Sequence, residues 1–192
     1  MSQCCTHNAL LFVCDMQTCF DGKFFGGEHL NHAVQQIIEV ANKLEIPVCV
    51  TEQYPERLGH TTGCVKQLLT PETPIFAKTK FSMLTEDVSS FLVDNCYRRQ
   101  VILVGGEAHV CVWQTARDLV AEGYTVFIPT DAVSSQRTLD RDTAFKRLEQ
   151  LGCEFCTVEM LMFEMLEDKN HPEFREVAPV TRRRPAVEEL TF

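Results

Sequence analysis

The sequence predicts an α/β protein built on a parallel sheet, and three features predict it. Short continuous apolar runs alternate with longer amphipathic stretches along most of the 192 residues. The runs lack a polar face, which suits strands covered on both sides. Glycines stand just past two of the amphipathic stretches, where helices end. Strand followed by helix followed by strand gives right-handed βαβ units, and these build a parallel sheet.

Residues 9–14, ALLFVC, form the first apolar run and stop at Asp15. Leu30, Ala33, Val34, Ile37, Ile38, Ala41 and Leu44 then draw one stripe along a helix of about four turns. IPVCVT (46–51) reads as the second strand and TPIFAKT (73–79) as a short third. Between them, 52–72 is a long irregular stretch with Gly59 and Gly63, of a length often tied to function. Thr85, followed by Glu86 and Asp87, opens a helix marked by Val88, Phe91 and Leu92. QVILVGG (100–106) is the fourth strand. Val112, Ala116, Leu119 and Val120 mark the next helix, over 111–122, ended by Gly123. YTVFIPTDA (124–132) is the fifth strand. Ala144, Phe145, Leu148 and Leu151 form a helix ended by Gly152, CEFCTV (153–158) is the sixth strand, and 159–167 is helical. From about residue 170 the pattern fades. The domain is expected over 8–175, with 176–192 an extended tail resting on a neighbouring subunit.

Composition narrows the function. The net charge of −9 opposes binding to nucleic acid and to anionic membranes. Arg182, Arg183 and Arg184 lie in the expected tail, diluted by Glu188 and Glu189. No apolar run approaches the roughly 20 residues of a membrane span. The amino-terminal residues lack the basic start and small-residue cleavage site of a secretory signal. A cytoplasmic protein with ten reduced cysteines is therefore expected.

In open α/β sheets, sites form beyond the carboxyl ends of the strands, where strand order reverses. That rule selects Asp15, Met16 and Gln17 after the first run, Lys78 or Lys80 after the third, Gly105 to Cys111 after the fourth, and Asp131 after the fifth. Asp15 reads either as a cap at a strand end or as a carboxylate in a partly dry pocket, able to take a proton. Cys111 at the start of a helix reads either as a packed thiol or as one activated by unpaired amides and the dipole's positive end. A nucleophile needs a base and a charge partner. Pattern alone leaves Lys78 and Lys80 level.

LLFVCDMQ (10–17), FAKTKFSM (76–83) and the block from Val101 through Ser135, joined by TEQYPERLG (51–59), together resemble the isochorismatase-like cysteine hydrolases, above all the short stand-alone isochorismatase-domain proteins. The resemblance implies a three-layer α/β/α fold: a six-stranded parallel sheet of order 3-2-1-4-5-6 with helices on both faces. It implies Cys111 as nucleophile, Asp15 as general base and Lys78, three positions before Phe81-Ser82, as their cation. It implies a cis peptide between Gly106 and Glu107, with the amides of Glu107 and Cys111 as an oxyanion hole. It implies a homo-oligomer acting on a small amide or ester-like molecule. The substrate-lining candidates are Gln17, Phe20, Tyr54, Phe81, His109 and Trp113. Nicotinamidases of this family carry an Asp-x-His metal site after strand two. Here that place reads TEQYPERLGH, so neither a metal nor another cofactor is expected.

Other features have plainer readings. CEFC (153–156) lies inside an expected strand, whereas a redox Cys-x-x-C opens a helix. His29 and His32 lack a third ligand. EMLMFEML (159–166) is apolar nearly all round and reads as core or subunit contact. The rival functions are a non-catalytic interaction module on the same fold, a redox protein using Cys153 and Cys156, and a nucleic-acid binder.

Overall fold

Six apolar residues in a row need cover on both faces, and residues 9–14 form the central strand of the sheet. The computed structural model describes residues 2–183. Strand β1 (Ala9–Cys14) lies between β2 (Val48–Gln53) and β4 (Gln100–Gly106). Outside these lie β3 (Ile75–Lys78), against β2, and β5 (Thr125–Pro129), against β4. A two-residue strand, β6 (Val133–Ser134), pairs with β4 beyond the end of β5, and β7 (Glu154–Cys156) pairs with β5. All strand pairings are parallel, in the order β3-β2-β1-β4-β5-β7. This is the expected order with β7 in sixth place. The added strand β6 arises because the chain turns at Pro129–Ala132 and then rejoins the sheet, where a single run to residue 132 is expected.

Side chains alternate along β1, so each face feeds a different core. Leu11 and Val13 join Ile102 and Val104 of β4 beneath helix α1 (Gly27–Lys43). Leu30, Ala33, Val34, Ile37, Ile38 and Ala41 supply the buried stripe of α1. Leu10, Phe12 and Cys14 face the opposite way, with Val101 and Leu103, into a second core. Short helices α2 (Pro55–Leu58) and α3 (Gly63–Lys66) interrupt the loop after β2. Helices α4 (Glu86–Asp94), α5 (Trp113–Ala121) and α6 (Thr138–Leu151) contribute to the second core. Helix α7 (Val158–Leu166) joins α1 on the first face. Thr85 caps α4 as its position predicts, accepting from the Val88 amide at 3.4 Å.

The carboxyl end departs from expectation. Residues 174–181 are not extended but form helix α8, with Val177, Ala178, Val180 and Thr181 buried. The helix packs on α1 of its own chain, and Gln36 Nε2 donates to the Val180 carbonyl at 2.6 Å. The boundary expected at 175–176 therefore falls inside a helix. Pro179 hides its periodicity: the ring removes one amide, yet four inward residues still form a stripe. The expected tail beyond residue 183, including Arg184, Glu188 and Glu189, lies outside the described residues. In α7, Leu161, Met162, Met165 and Leu166 are core, while Met160 and Phe163 are exposed. Among the described residues no helix is long and apolar enough to cross a membrane.

Candidate active site

The chain runs from β1 to β2 and β3 on one side and from β4 to β5 and β7 on the other. The order reverses between β1 and β4, and the site lies at their carboxyl ends. Asp15 follows β1 directly with φ +49°, a left-handed conformation that aspartate tolerates better than most residues. Its carbonyl accepts from the Gln17 amide at 2.9 Å, so the strand ends in a tight bend. The side chain is 1% exposed. Thr51 Oγ1 donates to Oδ1 at 2.8 Å, and Lys78 Nζ donates to Oδ2 at 2.7 Å.

Lys78 closes β3, with its side chain fully buried. Besides Asp15, its ammonium donates to Gln53 Oε1 at 2.7 Å, to the Phe81 carbonyl at 3.0 Å and to Cys111 Sγ at 3.6 Å. Burial alone would lower its pKa. The groups of Cys14, Asp15 and Cys111 around it outweigh that and leave it raised. Lys80 points elsewhere. It is half-exposed, donates to the Leu84 carbonyl and lies 3.7 Å from Asp118. Geometry thus separates two lysines that the pattern leaves level.

Cys111 is 6% exposed and sits in a π-helical turn, Ala108–Val112, which precedes α5. The helical path therefore begins three residues before the expected start. The amide of Val112 reaches the Glu107 carbonyl at 3.2 Å. The peptide joining Gly106 to Glu107 is cis. The two preceding glycines answer to close approach. At Gly105, with φ +108°, a Cβ would lie 2.1 Å from the Cys14 carbonyl oxygen. At Gly106 it would lie 2.2 Å from the Phe24 ring.

The six residues expected to line a substrate pocket divide. Tyr54 and Phe81 stand beside Lys78 with 45% and 51% of their surface exposed. The Tyr54 amide donates to the Lys78 carbonyl at 2.8 Å. His109 is exposed on the turn that carries Cys111, its Nδ1 2.9 Å from Ser135 Oγ. Gln17 is buried and occupied by backbone: Nε2 donates to the carbonyls of Gln53 and Gly59, and Oε1 accepts from the Gln53 amide. It fastens the loop after β2. Phe20 stacks on Phe24 at 5.4 Å beside a void of about 10 Å³, room for one water. Trp113 lies under the Arg147 guanidinium, 4.0 Å from its ring centre.

Thr51, Gln53 and Cys14 are absent from the sequence-based set, and each had a signal. Thr51 and Gln53 end β2, where the strand-end rule applies as it does to Asp15. Cys14 shares the parity of Leu10 and Phe12, which places it on the face of β1 that carries Cys111. Among the described residues, Cys14 Sγ, Cys111 Sγ and an Asp15 carboxylate oxygen lie within 4.8 Å of one another. Such donors suit a thiophilic metal, but the Lys78 ammonium already fills the space beside them and opposes a cation.

Beyond the switch point, Glu52 accepts from the Thr61 amide and hydroxyl, both at 2.7 Å, and pairs with His60 Nδ1 at 2.9 Å. Burial would raise its carboxyl, yet these partners together hold it below the ordinary range. This clasp ties the end of β2 to the loop that follows it. Cys153, at the head of β7, is pushed up to about 12 by burial, the reverse of a redox Cys-x-x-C.

The model of the isochorismatase domain matches residues 9–160, from the first residue of β1 into α7. A secreted isochorismatase effector of Phytophthora sojae is 37% identical over 185 residues, covering 95% of this chain and 88% of its own length. Isochorismatase family protein 1A of Dictyostelium discoideum is 37% identical over 184 residues, 93% of this chain and 88% of its own. The solved structure of a MAR1 ribonuclease from Caenorhabditis elegans superposes with a TM-score of 0.91 at 38% identity, covering all of both chains. With the match running through every strand that builds the switch point, this chain belongs to the isochorismatase family.

Proposed function

We propose that the protein is a cysteine hydrolase of small amide or ester-like molecules, using Cys111, Asp15 and Lys78. The observation that carries this reading is one buried ammonium, 2.7 Å from the Asp15 carboxylate and 3.6 Å from the Cys111 sulfur. Three side chains from distant parts of the chain meet there out of water, where charge interactions are strong. The isochorismatase fold itself supports hydrolase function.

In this mechanism Asp15 takes the Cys111 proton while Lys78 holds positive charge beside the sulfur. The sulfur attacks the substrate carbonyl. Negative charge gathers on the oxygen, toward which the amides of Glu107 and Cys111 donate. Asp15 returns its proton to the departing amine or alcohol, leaving a thioester. It then draws a proton from water, whose oxygen attacks the thioester, and the acid leaves as Cys111 regains its proton. Thr51 and Gln53 act as positioning residues, holding Asp15 and Lys78 in place. In this reading the exposed Tyr54, Phe81 and His109 contact the substrate, and a cytoplasmic homo-oligomer completes the proposal.

The test is a small electrophilic amide such as acrylamide. A covalent adduct should appear on Cys111 much faster than on a free thiol in solution, and Asp15→Asn should abolish the advantage. Labelling of Cys111 no faster than a free thiol refutes the reading.

The name of the Caenorhabditis elegans relative favours a second reading, a ribonuclease. RNA is a polyanion, and a net charge of −9 opposes it. Salt-dependent RNA binding, with cleavage lost in Cys111→Ala, would establish that reading over the first.

A further inference from the structure

The proposed hydrolysis leaves one sulfur at the reacting centre without a task. Cys14 ends β1 and is fully buried, on the face of the strand that looks toward α5. Its Sγ lies within 4.8 Å of Cys111 Sγ and of the Asp15 carboxylate. A disulfide needs the sulfurs at about 2.05 Å. The remaining approach is at most about 3 Å.

We propose that Cys14 is a resolving thiol, which captures peroxide-oxidised Cys111 as an intramolecular disulfide and so makes loss of activity reversible. The proposal rests on Cys111 being the reactive thiol. In the first step the Cys111 sulfur attacks an oxygen of a hydroperoxide. The O–O bond breaks, the thiol proton leaves with the departing alcohol or water, and the sulfur becomes a sulfenic acid. The peroxide is reduced as the sulfur is oxidised by two electrons. In the second step the Asp15 carboxylate takes the Cys14 proton and the Cys14 sulfur attacks the Cys111 sulfur. The S–S bond forms, the S–O bond breaks, and the hydroxyl leaves with the Cys14 proton as water. The Lys78 ammonium lies 3.6 Å from the same sulfur. A dithiol reductant restores both thiols.

Burial, first, and then the neighbouring Cys111 and Asp15 hold the Cys14 thiol well above its ordinary range, so it stays protonated during hydrolysis. It becomes useful only once Cys111 has turned from nucleophile to electrophile. Without Cys14 the sulfenic acid would stay open to further peroxide and pass to sulfinic and sulfonic acids, which thiols do not reverse.

The experiment exposes the full chain to equimolar hydrogen peroxide, blocks remaining thiols with an alkylating reagent, and maps peptides by mass. A peptide linked through Cys14 and Cys111, cleaved by dithiothreitol with return of both free thiols, supports the proposal. Cys14→Ser and Cys14→Ala, each checked for native circular dichroism, should form no such link. They should carry Cys111 with two or three added oxygens, with recovery of free Cys111 at least tenfold lower. Wild-type protein that gives those oxygens and no link overturns the role of Cys14 while leaving Cys111 as nucleophile intact. Cys111 untouched by both peroxide and acrylamide overturns the proposal together with the hydrolase reading.

Discussion

Removing the Lys78 ammonium should destabilise the fold far more than removing that of Lys80. In Lys78→Ala, the Asp15 carboxylate, 1% exposed, keeps the Thr51 hydroxyl but loses its cation. Gln53 Oε1 and the Phe81 carbonyl lose a donor as well. Breaking one side of a buried ion pair costs about 3–5 kcal/mol. That is a large share of the roughly 5–15 kcal/mol that holds a domain folded. In a chain of this size each kcal/mol moves the midpoint by about 2–4 °C, so thermal unfolding should fall by about 6–20 °C. Lys80→Ala removes a half-exposed side chain 3.7 Å from Asp118 and should cost about 1 kcal/mol or less. The Lys78 group is raised in the fold, so its contribution is complete below its unfolded value near 10.5 and fades as pH climbs through the higher folded value. Urea unfolding of wild type and both variants across pH 7 to 11 reads all of this. A loss under 1 kcal/mol at Lys78, or one that shrinks below pH 10, refutes the buried-pair argument.

Double substitution of Lys78→Ala with Asp15→Asn should cost less than the sum of the singles, by about 1–3 kcal/mol, because the stranded charge is gone; additive losses would contradict the contact. Glu52 is held below the ordinary carboxyl range, so its contribution is present above about pH 4.5 and lost as pH falls through the lower folded value. Glu52→Gln should remove that acid-dependent component and lower stability by about 1.5–3 kcal/mol, read by acid titration of the unfolding midpoint. Gly105→Ala should abolish or cripple folding, because the new Cβ meets backbone 2.1 Å away at a positive φ; soluble protein with a native midpoint would refute this. In iodoacetamide labelling at pH 8, exposed Cys96 should react at least about a thousandfold faster than Cys4 and Cys153, whose thiols burial pushes up to about 12.

The fold was legible where burial was two-sided. Strands β1 and β4 have no wet face, so their apolar runs matched the observed strands residue for residue. At the margins the signal weakened. The strand expected at 46–51 sits at 48–53 because Ile46 and Pro47 belong to the approach, and β2 runs on into polar Glu52 and Gln53. Those polar residues stay inside because they have partners: Glu52 holds Thr61, and Gln53 holds Lys78 and Gln17. Hydropathy cannot register a polar side chain that is satisfied by a segment far along the chain. The same limit governed the site. Among the candidate residues, the strand-end rule selected Asp15 and the Cys111 segment, and resemblance chose Lys78 over Lys80. Gln17, in contrast, stood near a motif end but spends its amide on backbone. Phe20 and Trp113 found aromatic and guanidinium neighbours that no local pattern encodes.

Helix α8 carries a practical consequence for anyone who shortens this protein. Stopping translation at residue 175 would discard Val177, Ala178 and Val180 and leave the outer side of α1 wet, together with Gln36, whose amide now holds the Val180 carbonyl. A chain so trimmed would uncover the part of the first core that Val177 and Val180 close, and self-association in that preparation would report the cut and not the native molecule.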